Sequence, residues 1–429
     1  MLPSAVAALA RRPTTLLALY GVAFLFRAAQ NVAQTSLAPL GEADLHLRAA
    51  VLGGVIALSG GMSVAATVLL GRMAVARTVR RWMAVGLAVT AASFPVLASA
   101  RSLGVLVAGA CLLGAGGGLT MPSLSTLVGQ HPGASAPRRL AGLAVALSVS
   151  LTLGPLADSA LLHASGNSLP LTLLAFAALP ALGIAVLPAS RRRPGPAPPE
   201  PGIAGGGRPA TAAAAAPAER APLATSPWRR PGWRLATVAQ LLYQVPFVAV
   251  ISFGVIAAER LYGLHPDGAQ LGISVFFVVS LATRVALTAG FELRRPKAAV
   301  GAIAALTVLG VGLLALGGSV PVLFVALAIL GVPHGLVFPL ALGLIAEETP
   351  PAELARANAA FSAWTSGVTV VLPAVLGGLV AVAGLRAMFL ALLVPVLALG
   401  ALVAAWPAPG HPVLAGGTGD ARQVTERPC

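Results

Sequence analysis

One nine-residue pattern occurs twice in this chain, and it narrows the available folds more than any other feature. Gly114-Ala-Gly-Gly-Gly118-Leu-Thr-Met-Pro122 and Gly331-Val-Pro-His-Gly335-Leu-Val-Phe-Pro339 share the spacing Gly-x-x-x-Gly-Leu-x-x-Pro. Each position of the second copy lies 217 residues after its counterpart. Arg139 and Arg356 keep that offset, and Pro155 and Pro373 miss it by one. The chain therefore reads as one unit of about 200 residues written twice, a periodicity to be settled before any other reading. Small residues three or four apart let helices approach closely in lipid, which gives the glycines a physical role.

Both copies sit inside long apolar runs. Of 429 residues, 57% are hydrophobic and only 10% are charged. Soluble domains carry about 25% charge, so this composition fits a polytopic membrane protein. Apolar stretches of about 18 residues or more read as spanning helices. Such stretches cover 14–39, 47–71, 82–100, 102–129, 138–162 and 167–188, then 233–258, 268–291, 297–316, 320–346, 353–382 and 384–406. The expected fold is all-α: about twelve transmembrane helices in two pseudo-symmetric six-helix bundles. The bundles should occupy 1–188 and 232–406. Between them, 189–231 is rich in Arg, Pro, Gly and Ala, cannot build a core, and reads as a disordered cytoplasmic linker. The polar tail 407–429 reads the same way.

The net charge of +15 has two explanations, nucleic acid or membrane topology. Its distribution selects the second. Arg72, Arg77, Arg80 and Arg81, then Arg138 and Arg139, the linker arginines, and Arg294, Arg295 and Lys297 all fall on one side of a twelve-span chain. The opposite loops hold only Arg48, Arg101, Arg260 and Arg386. The positive-inside rule then places both termini and the linker in the cytoplasm, in a cytoplasmic (inner) cell membrane. Cys111 and Cys429 offer no disulfide framework. Arg11 and Arg12 precede a first run long enough to stay in the membrane, so no cleavable signal peptide is expected.

Two equal halves of six spans joined by a long cytoplasmic loop is the layout of a transporter with a site between its halves. Over nearly its whole length the chain resembles the major facilitator superfamily. After span two that family carries Gly-x-x-x-Asp-Arg-x-Gly-x-Arg-Arg; Gly71, Arg80 and Arg81 match, whereas Val75, Ala76 and Thr78 replace Asp, Arg and Gly. Drug exporters of the family have an Arg in span four where Ala110 stands here, and Gly114, Gly118 and Pro122 follow as in those exporters. Their span-five motif Gly-Pro-x-x-Gly-Gly is half kept: Gly154 and Pro155 match, but Asp158 and Ser159 replace the glycines. The resemblance implies alternating access, with spans one, four, seven and ten around a central cavity. The half-kept motif points toward efflux by a proton antiporter. Gly114, Gly118, Pro122, Gly154, Pro155, Gly331, Gly335 and Pro339 are expected at helix contacts and kinks.

Ionisable residues within spans are costly, roughly 2.5–3.5 kcal/mol for Arg at a helix centre, and are functional candidates by default. Arg27 lies past the middle of span one, with Asn31 and Gln34 on the same helical face and Tyr20 seven residues earlier. That face is expected to look into the cavity; the competing reading is a structural cluster against span five. Gln240, Tyr243 and Gln244 share a face of span seven and suit substrate orientation or helix contact equally. Asn358, Ser362, Thr365, Ser366 and Thr369 on span eleven read as packing hydroxyls and amide. Arg284 reads as a snorkelling arginine. Asp158, near the far boundary of span five where water can wet it, and His334, near the middle of span ten, are the candidates for proton coupling, with His334 also beside the substrate. Glu347 and Glu348 read as solvated.

The expected function is secondary active transport of a small organic molecule by a monomer in the lipid bilayer, driven by protons or another ion. Metabolite uptake is the alternative. A membrane enzyme or sensor is the other class, but the chain has no P-loop, no His-Glu-x-x-His and no metal-ligand cluster. No cofactor, metal or nucleic-acid partner is expected.

Overall fold

The computed structural model describes residues 13–73, 78–131, 136–190, 230–288 and 295–406. The expected linker and tail lie almost wholly outside these residues, as do Val75 and Ala76. Among the described residues all regular structure is helical.

The first half contains α1 (Pro13–Ala43), α2 (Ala49–Met73), α3 (Val79–Ala98), α4 (Leu103–Gly129) and α5 (Ala136–Ala164). It ends with α6 (Leu169–Val186), which is interrupted by a turn at Ala177. The second half contains α7 (Pro231–Tyr262), α8 (Pro266–Thr288), α9 (Pro296–Leu316) and α10 (Val320–Glu348). Its last helix, Pro351–Ala405, is continuous except at Gly384, whose φ of 83° breaks the helical path. Treating its two arms as α11 (351–383) and α12 (385–405) gives twelve spans. Among the described residues eleven helices are long and apolar enough to cross a membrane, this bent one counting once. The sequence break at residue 383 is therefore a sharp corner on a glycine, the residue that tolerates positive φ without steric cost.

Local sequence explains the boundaries. Pro231 and Pro296 open α7 and α9 at positions where a missing N–H costs nothing. Gly263, at φ 69°, ends α7 in a left-handed cap. Buried hydroxyls return their protons to their own helices: Thr90 to the Gly86 carbonyl, Thr120 to Gly116, Thr35 to Asn31. Lipid supplies no water to satisfy such groups, so they close on themselves. Large apolar side chains such as Val68, Val145, Val371, Val382 and Val394 point outward, as a lipid-facing surface requires.

The repeat is visible in the packing. A Cβ built on Gly114 would come within 2.0 Å of the Ser59 carbonyl oxygen, and one on Gly118 within 2.1 Å of that of Ser63. In the second half, a Cβ on Gly331 would stand 2.5 Å from the Phe276 carbonyl oxygen and one on Gly335 2.7 Å from that of Ser280. Each second-half pair lies 217 positions after its first-half counterpart, so α4 sits on α2 as α10 sits on α8. The pattern recurs at the basic end, the end carrying Arg80, Arg139, Arg230 and Lys297. There Thr15 meets His131 at 2.7 Å, and 217 residues later the Gly232 N–H donates to Glu348 at 2.7 Å. Glu348 is thus a carboxylate at the N-terminus of α7, where the helix dipole favours an anion, rather than a solvated group.

The halves meet through α2 against α11, α5 against α8, and α1 against α7. At the far end, opposite the arginine-rich loops, the halves are in close contact. Gly53 and Gly377 lie so near that an added Cβ on Gly377 would stand 2.4 Å from the Ala49 carbonyl. The Glu42–Arg260 ion pair and a hydrogen bond between His163 Nδ1 and Asp267 Oδ2 at 3.0 Å also bridge the halves there.

Candidate functional site

A cavity of about 310 Å³ lies between the halves, toward the middle of the bundle. The first half contributes Arg27, Gln30, Asn31 and Gln34 from α1, Ser59, Gly60 and Ser63 from α2, and Gly114 from α4. The second half contributes Phe247, Val248, Ile251 and Ser252 from α7, and Thr365, Ser366 and Thr369 from α11. The glycine packing of α4 on α2 exposes the α2 hydroxyls to the space, and the i, i+3, i+4 and i+7 spacing on α1 presents four polar side chains as one stripe.

Arg27 Nη1 donates to Gln30 Oε1 at 2.9 Å. Asn31 is 2% exposed and its amide nitrogen has no hydrogen-bond partner. Tyr20 does not join this stripe. Its hydroxyl donates to the Arg139 carbonyl at 2.8 Å, and its ring covers Gly142, so it belongs to the contact with α5. A bulky ring reaches sideways to the glycine notch in α5, which helical spacing alone does not reveal.

Gln240 and Gln244 stand behind the cavity wall. Gln240 Nε2 donates to Gln244 Oε1 at 2.6 Å, and Gln244 Nε2 donates to Thr369 Oγ1 at 2.5 Å. Thr369 lines the cavity, so this relay of amides fixes a wall residue. Tyr243 is buried and borders a smaller void with Phe247 and Phe276. His334 is 8% exposed and boxed by rings: Tyr243, Phe247 and Phe276 each at 5.1 Å between centroids and Phe277 at 5.4 Å. Its Nδ1 lies 2.5 Å from Ser280 Oγ. His334 thus lies one layer behind Phe247, which does face the cavity.

Arg284 is not a snorkelling arginine. Its Nη1 donates to Ser148 Oγ, in the other half, at 2.6 Å, and its Nη2 to the His334 carbonyl at 3.4 Å. Asp158 is not wet: it is fully enclosed, and neither carboxylate oxygen has a hydrogen-bond partner. Arg27 pairs with Gln30 and not with Asp158. Gly154, one turn before Asp158, faces the α1 backbone, where an added Cβ would stand 3.2 Å from the Ala28 α-carbon, while Pro122, Pro155 and Pro339 sit inside their helices. The side chains of Asn358 and Ser362 lie outside the described residues.

Sequence reasoning missed Gln30, although it lies three residues from Arg27 on the same face. It also missed Ser59, Ser63 and Ser252, and read Thr365, Ser366 and Thr369 as packing groups. Isolated hydroxyls in apolar runs carry no signal until the neighbouring helix is placed. Among the described residues there is no group of three or more metal-ligating side chains.

Comparison with known proteins adds the family. No curated protein matches the sequence. Among solved structures, the fold is similar to that of the nucleoside transporter NupG, with a TM-score of 0.71 at 15% identity over 91% of this chain and 98% of that one. It is similar to a point mutant of the peptide transporter POT, with a TM-score of 0.70 at 16% identity over 91% and 93%. It is also similar to a bacterial homolog of the human lysosomal transporter Spinster in an inward-facing and occupied conformation, with a TM-score of 0.66 at 14% identity over 92% and 96%. At such identities the likeness concerns the fold. The family model for the Major Facilitator Superfamily matches residues 19–317 and 251–426. The chain is therefore a multi-pass membrane transporter and belongs to the Major Facilitator Superfamily.

Proposed function

We propose that this transporter is a proton-coupled exporter of a small organic molecule, working by rocking of its halves about the cavity that contains Arg27. The carrying observation is that this cavity is walled by both halves, by α1, α2 and α4 on one side and α7 and α11 on the other. Relative movement of the halves would then change which end of the cavity is open. Gly154 and Pro155, shared with the span-five motif of exporters, support the outward direction. Uptake is the second reading, since Asp158 and Ser159 depart from the exporter motif where it has glycines.

Asp158 and His334 are the proposed coupling groups. Both are ionisable and buried; Asp158 lies on α5 and His334 packs on α8, two helices that meet between the halves. Asp158 has no partner to neutralise it, so its protonation depends strongly on what surrounds it in each state of the cycle. The test is proton-driven transport in proteoliposomes across pH for wild type, Asp158→Asn and His334→Gln. Loss of uphill transport in either variant, with downhill exchange retained, supports proton coupling. Wild-type pH dependence and uphill transport in both would leave uniport or another coupling ion.

A further inference from the structure

Among its described lining residues the cavity has one cation and no acid: Arg27 is the one ionisable side chain. Its hydrogen-bond partner there is the neutral amide of Gln30, so its charge is not cancelled within the cavity. Beside it the Asn31 amide nitrogen is buried without a partner. An uncompensated guanidinium and an idle N–H₂ group on one helical turn form a donor set with no matching acceptor. Both are costly to bury unless something accepts their hydrogen bonds.

We propose that the substrate carried in this cavity is a small organic anion whose carboxylate sits on Arg27 and Asn31. The inference rests on the transport reading above. A guanidinium fork matches the two oxygens of a carboxylate, and Gln30 occupies only one of its terminal nitrogens. A single lining cation neutralises a single negative charge, which selects a carboxylate over a doubly charged phosphate ester. A cationic substrate would meet Arg27 with no carboxylate to offset the repulsion. Phe247, Val248 and Ile251 on the opposite wall receive the apolar body. A volume of about 310 Å³ lies at the lower limit of ligand pockets, which span roughly 300–1,000 Å³, so the body is short-chain or single-ringed.

The test uses the full-length protein, purified in detergent, with short aliphatic and single-ring aromatic carboxylates. Each is paired with the amide, amine and phosphate ester of the same skeleton, and binding is read from thermal stabilisation. At least one carboxylate is expected to bind about tenfold more tightly than its amide, about 1.4 kcal/mol, with the amine and phosphate ester weaker. Arg27→Gln should abolish that preference, and Arg27→Lys should keep the charge preference with reduced affinity. If Arg27→Gln does not fold, the Arg27→Lys comparison and the wild-type ranking still decide. Equal or better binding of amines or amides, or no carboxylate binding at all, overturns the proposal. A preference for phosphate esters overturns the single-charge assignment. Counterflow of the bound carboxylate in proteoliposomes separates the two claims: binding without counterflow sinks the transport reading and leaves the anion site standing.

Discussion

Gly118 lies over the backbone carbonyl of Ser63, where an added Cβ would stand at 2.1 Å, and Gly335 stands in the same relation to Ser280 at 2.7 Å. Both glycines keep a pair of helices at backbone contact, α4 on α2 and α10 on α8. Because α2 and α8 then meet the opposite half through α11 and α5, these contacts set how the moving surfaces are held.

Gly118→Leu and Gly335→Leu should each lower stability, since overpacking a tight contact costs about 1–3 kcal/mol. The obstruction is backbone, which cannot rotate away. Gly61→Leu and Gly71→Leu are the controls, because nothing lies within 4 Å of a Cβ at either site. Melting of the detergent-solubilised variants checks this: the first pair should melt earlier than wild type and the second pair should not.

Gly377→Val should separate the halves at the far end, where the Ala49 carbonyl and the Gly53 α-carbon leave no room for a side chain. The expected outcome is faster labelling of a cysteine placed at Ile56, which lines the cavity, by a membrane-impermeant thiol reagent from that side. Unchanged labelling would show that the contact does not hold the far end shut.

Arg260 pairs with Glu42 across the same end, with its side chain largely exposed. Exposed pairs are worth about 0–1 kcal/mol, so Arg260→Gln should change transport little. Arg260→Glu places two carboxylates together and should slow transport, and the swap Glu42→Arg with Arg260→Glu should restore it. Failure of the swap to rescue would remove the pair from the gate.

Arg284 and Ser148 are joined across the halves at 2.6 Å. A hydrogen bond to a charged group contributes about 1.5–3 kcal/mol. If it exists in only one state of the cycle, Ser148→Ala should change turnover about tenfold or more while leaving insertion and expression intact. A double-mutant cycle with Arg284→Gln measures the coupling, and additive effects would show that the pair is incidental.

Topology reporters fused within 189–231 and after Trp406 should both report cytoplasm, because the arginine-rich loops share one side. A signal from the opposite compartment at either position would invert the assignment of the basic end.

Sequence alone determined the number of spans, the two-fold repeat and the glycines that carry it. These follow from local facts: the length of apolar runs, and a 217-residue offset that needs no knowledge of neighbours. It also singled out Arg27, Asn31 and Gln34, since a charge inside an apolar run is conspicuous and helical spacing puts the three on one face. Tertiary structure alone decided which of the polar residues face the cavity. Tyr20 shares a helical face with Arg27 yet reaches α5, because the Gly142 notch receives its ring. Arg284 looks lipid-facing in sequence yet bridges to Ser148, and Asp158 looks wet yet is sealed between packed helices. Thr365, Ser366 and Thr369 look like packing groups yet line the cavity. A helix's periodicity fixes which residues share a face, but only the placement of its neighbours decides what that face meets.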